Sequence, residues 1–205
     1  MTGGLTWSGA RLVAVLGDIT AQDTVAVVNA ANSSLAPGAG VDGAMRRAAG
    51  PELTEATMAV ASRAQGEPLP TGTAVVTTAG RLKARRVIHT AGPVWRGGSR
   101  GEADLLARCY RSCLRVAVEE GLRSISFPAL STGIYGYPAR EAAGIAVRTV
   151  KEELAVLAGR FDEVRFVLFD DEVRAIYEEV LLTSEREAEA GQGGRSPEPG
   201  GESGA

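Results

Sequence analysis

Apolar residues along this chain follow two rhythms. Short β-branched or aromatic runs at residues 12–16, 25–29, 73–77, 86–90, 124–127 and 164–169 read as strands. Between them, apolar positions recur at three- and four-residue steps. The clearest series is Leu105, Leu106, Cys109, Tyr110, Cys113, Leu114 and Ala117, an amphipathic helix. Ala143, Ala146, Val147, Val150, Leu154 and Leu157 predict a second helix, and residues 171 to about 182 a third. Two more are expected earlier, one opened by Asp42 and running through Ala49, the other started by Pro51. Strands alternating with helices imply an α/β fold with helices on both faces of the sheet. Residues 1–9 are small and polar, so a frayed start is expected. From Ser184 to Ala205 almost no apolar residue occurs, and a segment that cannot bury surface is expected to stay disordered. One domain over residues 10–183 remains.

Charge sharpens that division. The terminal stretch from Ser184 holds five Glu and two Arg and so carries the whole formal net charge of −3. A neutral body gives no electrostatic footprint for duplex nucleic acid or an anionic membrane. Arg81, Lys83, Arg85 and Arg86 cluster, and read as a solvated loop and strand edge. The single histidine, His89, lies inside a β-branched run and reads as a core residue. One histidine, read as core, and two cysteines, Cys109 and Cys113, argue against a structural zinc site, a zinc deaminase and a histidine-based triad. The cysteines read as packed side chains. Neither an apolar stretch long enough to span a bilayer nor a signal-peptide pattern is seen, so the cytoplasm is the expected compartment.

Two loops carry the candidate chemistry. The first leaves the 25–29 strand as Asn29-Ala30-Ala31-Asn32 and runs through Pro37-Gly38-Ala39-Gly40-Val41 to Asp42-Gly43. Its Gly38–Gly40–Gly43 spacing formally fits the dinucleotide fingerprint. That fingerprint turns directly from strand to helix, whereas here about nine residues intervene, so a dinucleotide-binding oxidoreductase is rejected. Asn29 and Asn32 can close local Asx turns or hold a polyhydroxylated ligand, and Asp42 can cap its helix or address a water. The second loop, Ser131-Thr132-Gly133-Ile134-Tyr135-Gly136, can turn successive backbone N–H groups inward as an anion-binding nest. Asp18 reads either as a turn former, with Thr20 capping a short helical turn, or as a ligand acceptor.

Four blocks, Gly17-Asp18-Ile19-Thr20, the Asn29-to-Gly43 loop, Val87-Ile88-His89-Thr90-Ala91-Gly92-Pro93 and Phe127-Pro128-Ala129-Leu130-Ser131-Thr132-Gly133-Ile134-Tyr135-Gly136-Tyr137-Pro138, together resemble the macrodomain family, specifically its MacroD-type branch. The resemblance implies a three-layer α/β/α sandwich with a mixed central sheet. It implies ADP-ribose or an ADP-ribosylated protein as partner, and no cofactor or metal. Asn32 and Asp42 would be the catalytic pair, Asn32 on the distal ribose and Asp42 on the water beside its anomeric carbon. Ligand contacts would come from Asp18 (to the adenine amino group), Ile19, Asn29, Gly38, Gly40 and Val41. Ser131, Thr132, Gly133, Ile134 and Tyr135 would grip the diphosphate and cover the distal ribose, and Phe169 would stack near the adenosine. The expected reaction is hydrolysis of acyl-linked mono-ADP-ribose or deacetylation of O-acetyl-ADP-ribose; the alternative is an ADP-ribose reader without turnover. Polymer cleavage is not expected.

Two departures stand out. Pro37 and Ala39 interrupt a run that is usually glycine, predicting a stiffer loop. Arg46 stands where the family often has histidine. One helical turn after Asp42, it either reaches that carboxylate and weakens it as a base, or faces solvent.

Overall fold

The computed structural model describes residues 4–193. In chain order the elements are β1 (Gly4–Trp7), β2 (Ala10–Leu16), a 3-10 turn (Ile19–Ala21), β3 (Ala26–Ala31), α1 (Gly40–Ala49) and α2 (Pro51–Arg63). There follow β4 (Ala74–Thr78), β5 (Arg86–Ala91), α3 (Glu102–Glu119), β6 (Ser124–Phe127), α4 (Ala139–Val156), β7 (Glu163–Leu168) and α5 (Asp171–Gly193). The seven strands form one sheet in the order β1-β2-β7-β6-β3-β5-β4. The five inner strands are mutually parallel, while β1 and β4 run antiparallel at the two edges. The mixed sheet with helices on each face is the α/β sandwich the sequence implied.

Alternation along the strands sorts the core into two layers. In β3, Ala26 and Val28 face a large cluster containing Leu106, Tyr110 and Leu114 of α3, Val147 of α4 and Tyr177 of α5. Val27 faces the opposite, smaller cluster with Met45, Ala49 and Leu53 of α1 and α2. Chain leaving β3 therefore passes to one face and chain leaving β6 to the other. Adjacent parallel strands whose connections diverge in this way open a crevice at their C-terminal ends. Here β3 and β6 pair only at Ala26↔Ile125 and Val27↔Ser126, after which β3 continues alone beside β5.

Both chain ends depart from expectation. Residues 4–7, expected to fray, form β1: Leu5 is buried, and the Trp7 indole donates to the Lys151 carbonyl at 2.9 Å beneath the Lys151 ammonium. That anchor is 144 residues away in sequence, so no local pattern announces it. Expected disorder from Ser184 gives way to helix, since α5 continues through Gly193. Its Ser-Glu-Arg-Glu-Ala stretch is built largely of good helix formers, and Lys151 Nζ donates to the Ser184 carbonyl at 2.7 Å. Residues 1–3 and 194–205 lie outside the described part.

Cys109 and Cys113 are free and buried in α3, and burial pushes both thiols up in pKa. Among the described residues no helix is long and apolar enough to cross a membrane, and no three metal-binding side chains cluster.

Candidate active site

The inner strands share one C-terminal edge, and the sequence-derived residues gather along it. Asp18 follows β2, Asn32 follows β3, Gly92 follows β5, the 131–136 loop follows β6, and Phe169 follows β7. A Cβ added to Gly92 would collide with the Ser131 hydroxyl. The β6 loop therefore reaches over the end of β3, where Asn32 leaves, to touch the exit of β5.

The first loop is closed by its own hydrogen bonds. Asn32 Nδ2 donates to the Ala36 carbonyl at 2.8 Å, and its Oδ1 accepts from the Ser34 hydroxyl at 2.7 Å. A turn at Leu35 in the left-handed region (φ 56°) brings the chain back, and Gly40 (φ 59°) leads into α1. Ala39, at φ −101°, avoids the conformation that would strain it. Gly43 is required because a Cβ there would stand 2.9 Å from the Gly38 carbonyl oxygen. A point at the Cβ position of Gly38 lies 3.3 Å from Asp42 Oδ2 and 3.5 Å from Asn32 Nδ2, so the two candidate catalytic side chains converge there.

Asp42 is the most heavily bonded group in the site. Its Oδ2 accepts from Gly38 N at 2.7 Å and from Arg46 Nε at 2.8 Å, and its Oδ1 accepts from Asn29 Nδ2 at 2.7 Å. Burial raises its pKa, but the bonds from Arg46, Asn29 and Gly38, with the Arg46 charge, outweigh that and hold it below the usual carboxylate value. A carboxylate offers about four acceptor positions, so roughly one remains, on Oδ1. By this count Asp42 keeps one unfilled acceptor position, on a side chain that is 3% exposed, and it is a poor proton acceptor. Arg46 thus takes the inward of its two expected orientations.

Asn29, expected on the ligand, is 0% exposed. It shares the inward parity of Val27 and faces α1, so its amide bonds Asp42 and, at 3.1 Å, His89 Nδ1. The amide donates, so Nδ1 accepts and His89 Nε2–H donates to Thr77 Oγ1 at 2.8 Å. His89 is the core residue the sequence suggested, and burial pushes its pKa down to about 4. It is neutral near pH 7 with both ring nitrogens occupied, which excludes it as a base.

The second loop is closed at its base, where Tyr137 N donates to the Ser131 carbonyl at 3.0 Å and Gly136 N to the Gly133 carbonyl at 2.9 Å. Trp95 N holds the Tyr135 carbonyl at 2.9 Å, and the Trp95 and Tyr137 rings lie 4.5 Å apart. Among the described residues, the N–H groups of Gly133, Ile134 and Tyr135 donate to no protein acceptor. Ser131 sits in the left-handed region (φ 67°), and its buried hydroxyl has no protein partner. Strain of this kind, about 1–2 kcal/mol for a non-glycine residue, is concentrated at functional sites. The arrangement suits an anion.

Along the rim, Phe169 is 88% exposed just beyond β7, and Ile134 is 78% exposed. Phe169, which ends an apolar strand run, therefore does not pack in the core. At Asp18 the expected capping roles are reversed: its Oδ1 accepts from Thr20 N and Thr20 Oγ1, both at 2.8 Å, and caps the 3-10 turn. Ile19 is buried beneath that turn, and Val41 is half-buried at the start of α1. Reading by residue type did not isolate Gly92, Gly43 or Trp95. A glycine directly after a strand and another inside a helix were the available signals.

Residues 28–146 match the Macro domain family model. The chain is a macrodomain. It is 52% identical over 171 residues to O-acetyl-ADP-ribose deacetylase of Citrobacter rodentium, covering 83% of this chain and 95% of that protein. The Oceanobacillus iheyensis macrodomain solved with ADP superposes with a TM-score of 0.87 at 41% identity, over 91% of this chain and 98% of its own. A Trypanosoma brucei macrodomain in complex with ADP-ribose gives 0.71 at 37% identity, over 82% and 68%.

Proposed function

We propose that this macrodomain binds ADP-ribose and is a hydrolase of its acyl esters. It would deacetylate O-acetyl-ADP-ribose and release ADP-ribose from glutamate- or aspartate-linked protein. One observation carries the reading: the Asn32–Gly38–Asp42 cluster and the open N–H groups of the 133–135 segment flank the end of a single strand, β3. The second loop would take the diphosphate through its backbone, and the first would take the distal ribose. Phe169 would lie against the adenosine, and the second oxygen of Asp18 would accept from its amino group. The relatives' printed activity and ligands support this assignment.

Hydrolysis needs water held against an electrophilic carbon. In the acetyl ester, water adds to the carbonyl carbon and the acyl–oxygen bond breaks, giving acetate and a free ribose hydroxyl. In the protein-linked ester, water attacks the anomeric carbon and the side-chain carboxylate departs. Asp42 offers its remaining acceptor position to orient that water or the neighbouring hydroxyl, and the substrate's diphosphate helps place it.

The bonded state of Asp42 favours one alternative, a reader that binds without turnover. Incubating the protein with O-acetyl-ADP-ribose and with glutamate-linked ADP-ribosyl protein, and following acetate and ADP-ribose release, separates the two. Calorimetric binding of ADP-ribose with no release from either substrate would leave only the reader.

A further inference from the structure

Arg46 does more than pair with Asp42. Its side chain is only 8% exposed, against 3% for Asp42, and its donors reach three separate pieces of the site. Nε donates to Asp42 Oδ2 at 2.8 Å, and Nη2 to the Leu35 carbonyl at 2.9 Å. Nη1 donates to Thr54 Oγ1 at 3.2 Å and Thr57 Oγ1 at 3.0 Å, both on α2. Leu35 is the residue held left-handed at the tip of the first loop. One planar guanidinium thus ties the strained tip, the carboxylate and the next helix into a single unit. An ammonium, with no planar fork, cannot make this set of contacts.

We propose that Arg46 is a positioning residue for the hydrolysis assigned above, fixing the loop tip and the free acceptor of Asp42 in place, so that Asp42 works through its geometry and not through its basicity. The inference rests on the hydrolase reading for its kinetic arm alone. It makes a prediction of definite sign. If Asp42 acted as a base, freeing it from Arg46 would strengthen it and raise turnover. If it acts by position, freeing it lowers turnover.

The groups facing Asp42 are Asn29 from β3, Arg46 from its own helix and, through Asn29, His89 from β5. Arg47 lies close by on α1, beside Gly43, and α2 contributes only the two threonine hydroxyls behind Arg46. Of these, Arg46 is the group whose removal leaves the buried carboxylate without a cationic partner. Its loss therefore also shifts the pH at which Asp42 takes up a proton.

The test compares wild type, Arg46→Gln, Arg46→Lys and the Thr54→Val/Thr57→Val double variant. Measurements are kcat and KM for O-acetyl-ADP-ribose from pH 4.5 to 8, the NMR titration of the Asp42 carboxyl carbon, and thermal melting. For Arg46→Gln, kcat should fall about 30-fold with KM changed less than about threefold, as expected for misplacement without lost binding. Its acid limb and the Asp42 titration should both move up in pH. Arg46→Lys should recover only part of kcat, and the threonine pair, which leaves the ion pair intact, should lose about threefold without moving the titration. Wild-type or raised kcat in Arg46→Gln, at an unchanged fold, would overturn the proposal, as would an unmoved Asp42 titration. If Arg46→Gln does not fold, full recovery by Arg46→Lys would overturn it instead. Should wild type bind ADP-ribose without turnover, the hydrolase reading fails separately, and the NMR amide signals of the loop tip held by Arg46 replace kcat. Those signals must then shift or broaden around Leu35 in Arg46→Gln, or the positioning role falls too.

Discussion

The two loops at the C-terminal edge of the sheet are built on opposite principles. On the β3 side, the acidic and basic groups are answered from inside, Asp42 by Arg46, Asn29 and Gly38, and His89 by Asn29 and Thr77, although the buried Asn29 Oδ1 has no protein partner. On the β6 side, backbone donors and a serine hydroxyl lack protein partners, and two large apolar side chains stand in solvent. One side is largely closed by its own bonds; the other presents donors that a ligand would complete. Stability and binding should therefore separate by side, with changes at β3 costing stability and turnover and changes at β6 costing affinity alone.

The sharpest test is Asp42→Ala. It strands the Arg46 guanidinium in a buried site, and removing one partner of such a pair costs about 3–5 kcal/mol. Turnover should fall about 100-fold or more, and urea unfolding together with acetate release measures both effects.

Acid should unfold the protein through the same network. The pKa of His89 is depressed from 6.5 to about 4 in the fold, so between those values the unfolded chain binds the extra proton and stability falls as pH falls. About 2.5 kcal/mol should be lost between pH 7 and pH 4.5, and His89→Gln should flatten that slope. Asp42, held low, adds its own loss only below its ordinary value of 3.8. Urea midpoints at the two pH values decide the matter.

Gly133→Val probes the other side. No atom lies within 4 Å of the position a Cβ would take, so unfolding free energy should change by less than about 0.5 kcal/mol. The new side chain would nevertheless stand among the open N–H groups, and calorimetry should show ADP-ribose affinity reduced about tenfold. A large loss of stability here would blur the distinction between the two sides. The smallest effect is expected from Phe169→Ala: about fivefold weaker binding, an aromatic contact being worth about 1 kcal/mol, with melting unchanged.

How far these features could be read from the chain depends on their range. The inner strands and the helices announce themselves through periodicity, and apart from the C-terminal end of α5 their boundaries moved by only a few residues. β1 did not, because its anchor is the distant Lys151. Asp42, Asn32 and the 131–135 loop were legible as a set through their resemblance to macrodomains. The inward turn of Asn29 was not, since strand parity shows which face a residue takes but not which side chain waits there. Gly43 entered only as one of three glycines in a rejected fingerprint, yet its reason is the Gly38 carbonyl packed against it. Ser131 in a left-handed conformation defies the rule that glycine takes such positions, so only tertiary contact could reveal it.

The placement of the two tryptophans gives the molecule a pair of built-in optical reporters. Trp95 lies against Tyr137 and grips the anion loop through its backbone, so its emission should respond when that loop closes on a ligand. Trp7 sits beneath Lys151, which also holds the α5 backbone at Ser184, and should brighten or shift when the end of that helix comes away. Replacing either indole with phenylalanine leaves a chain whose fluorescence watches one edge of the sheet at a time.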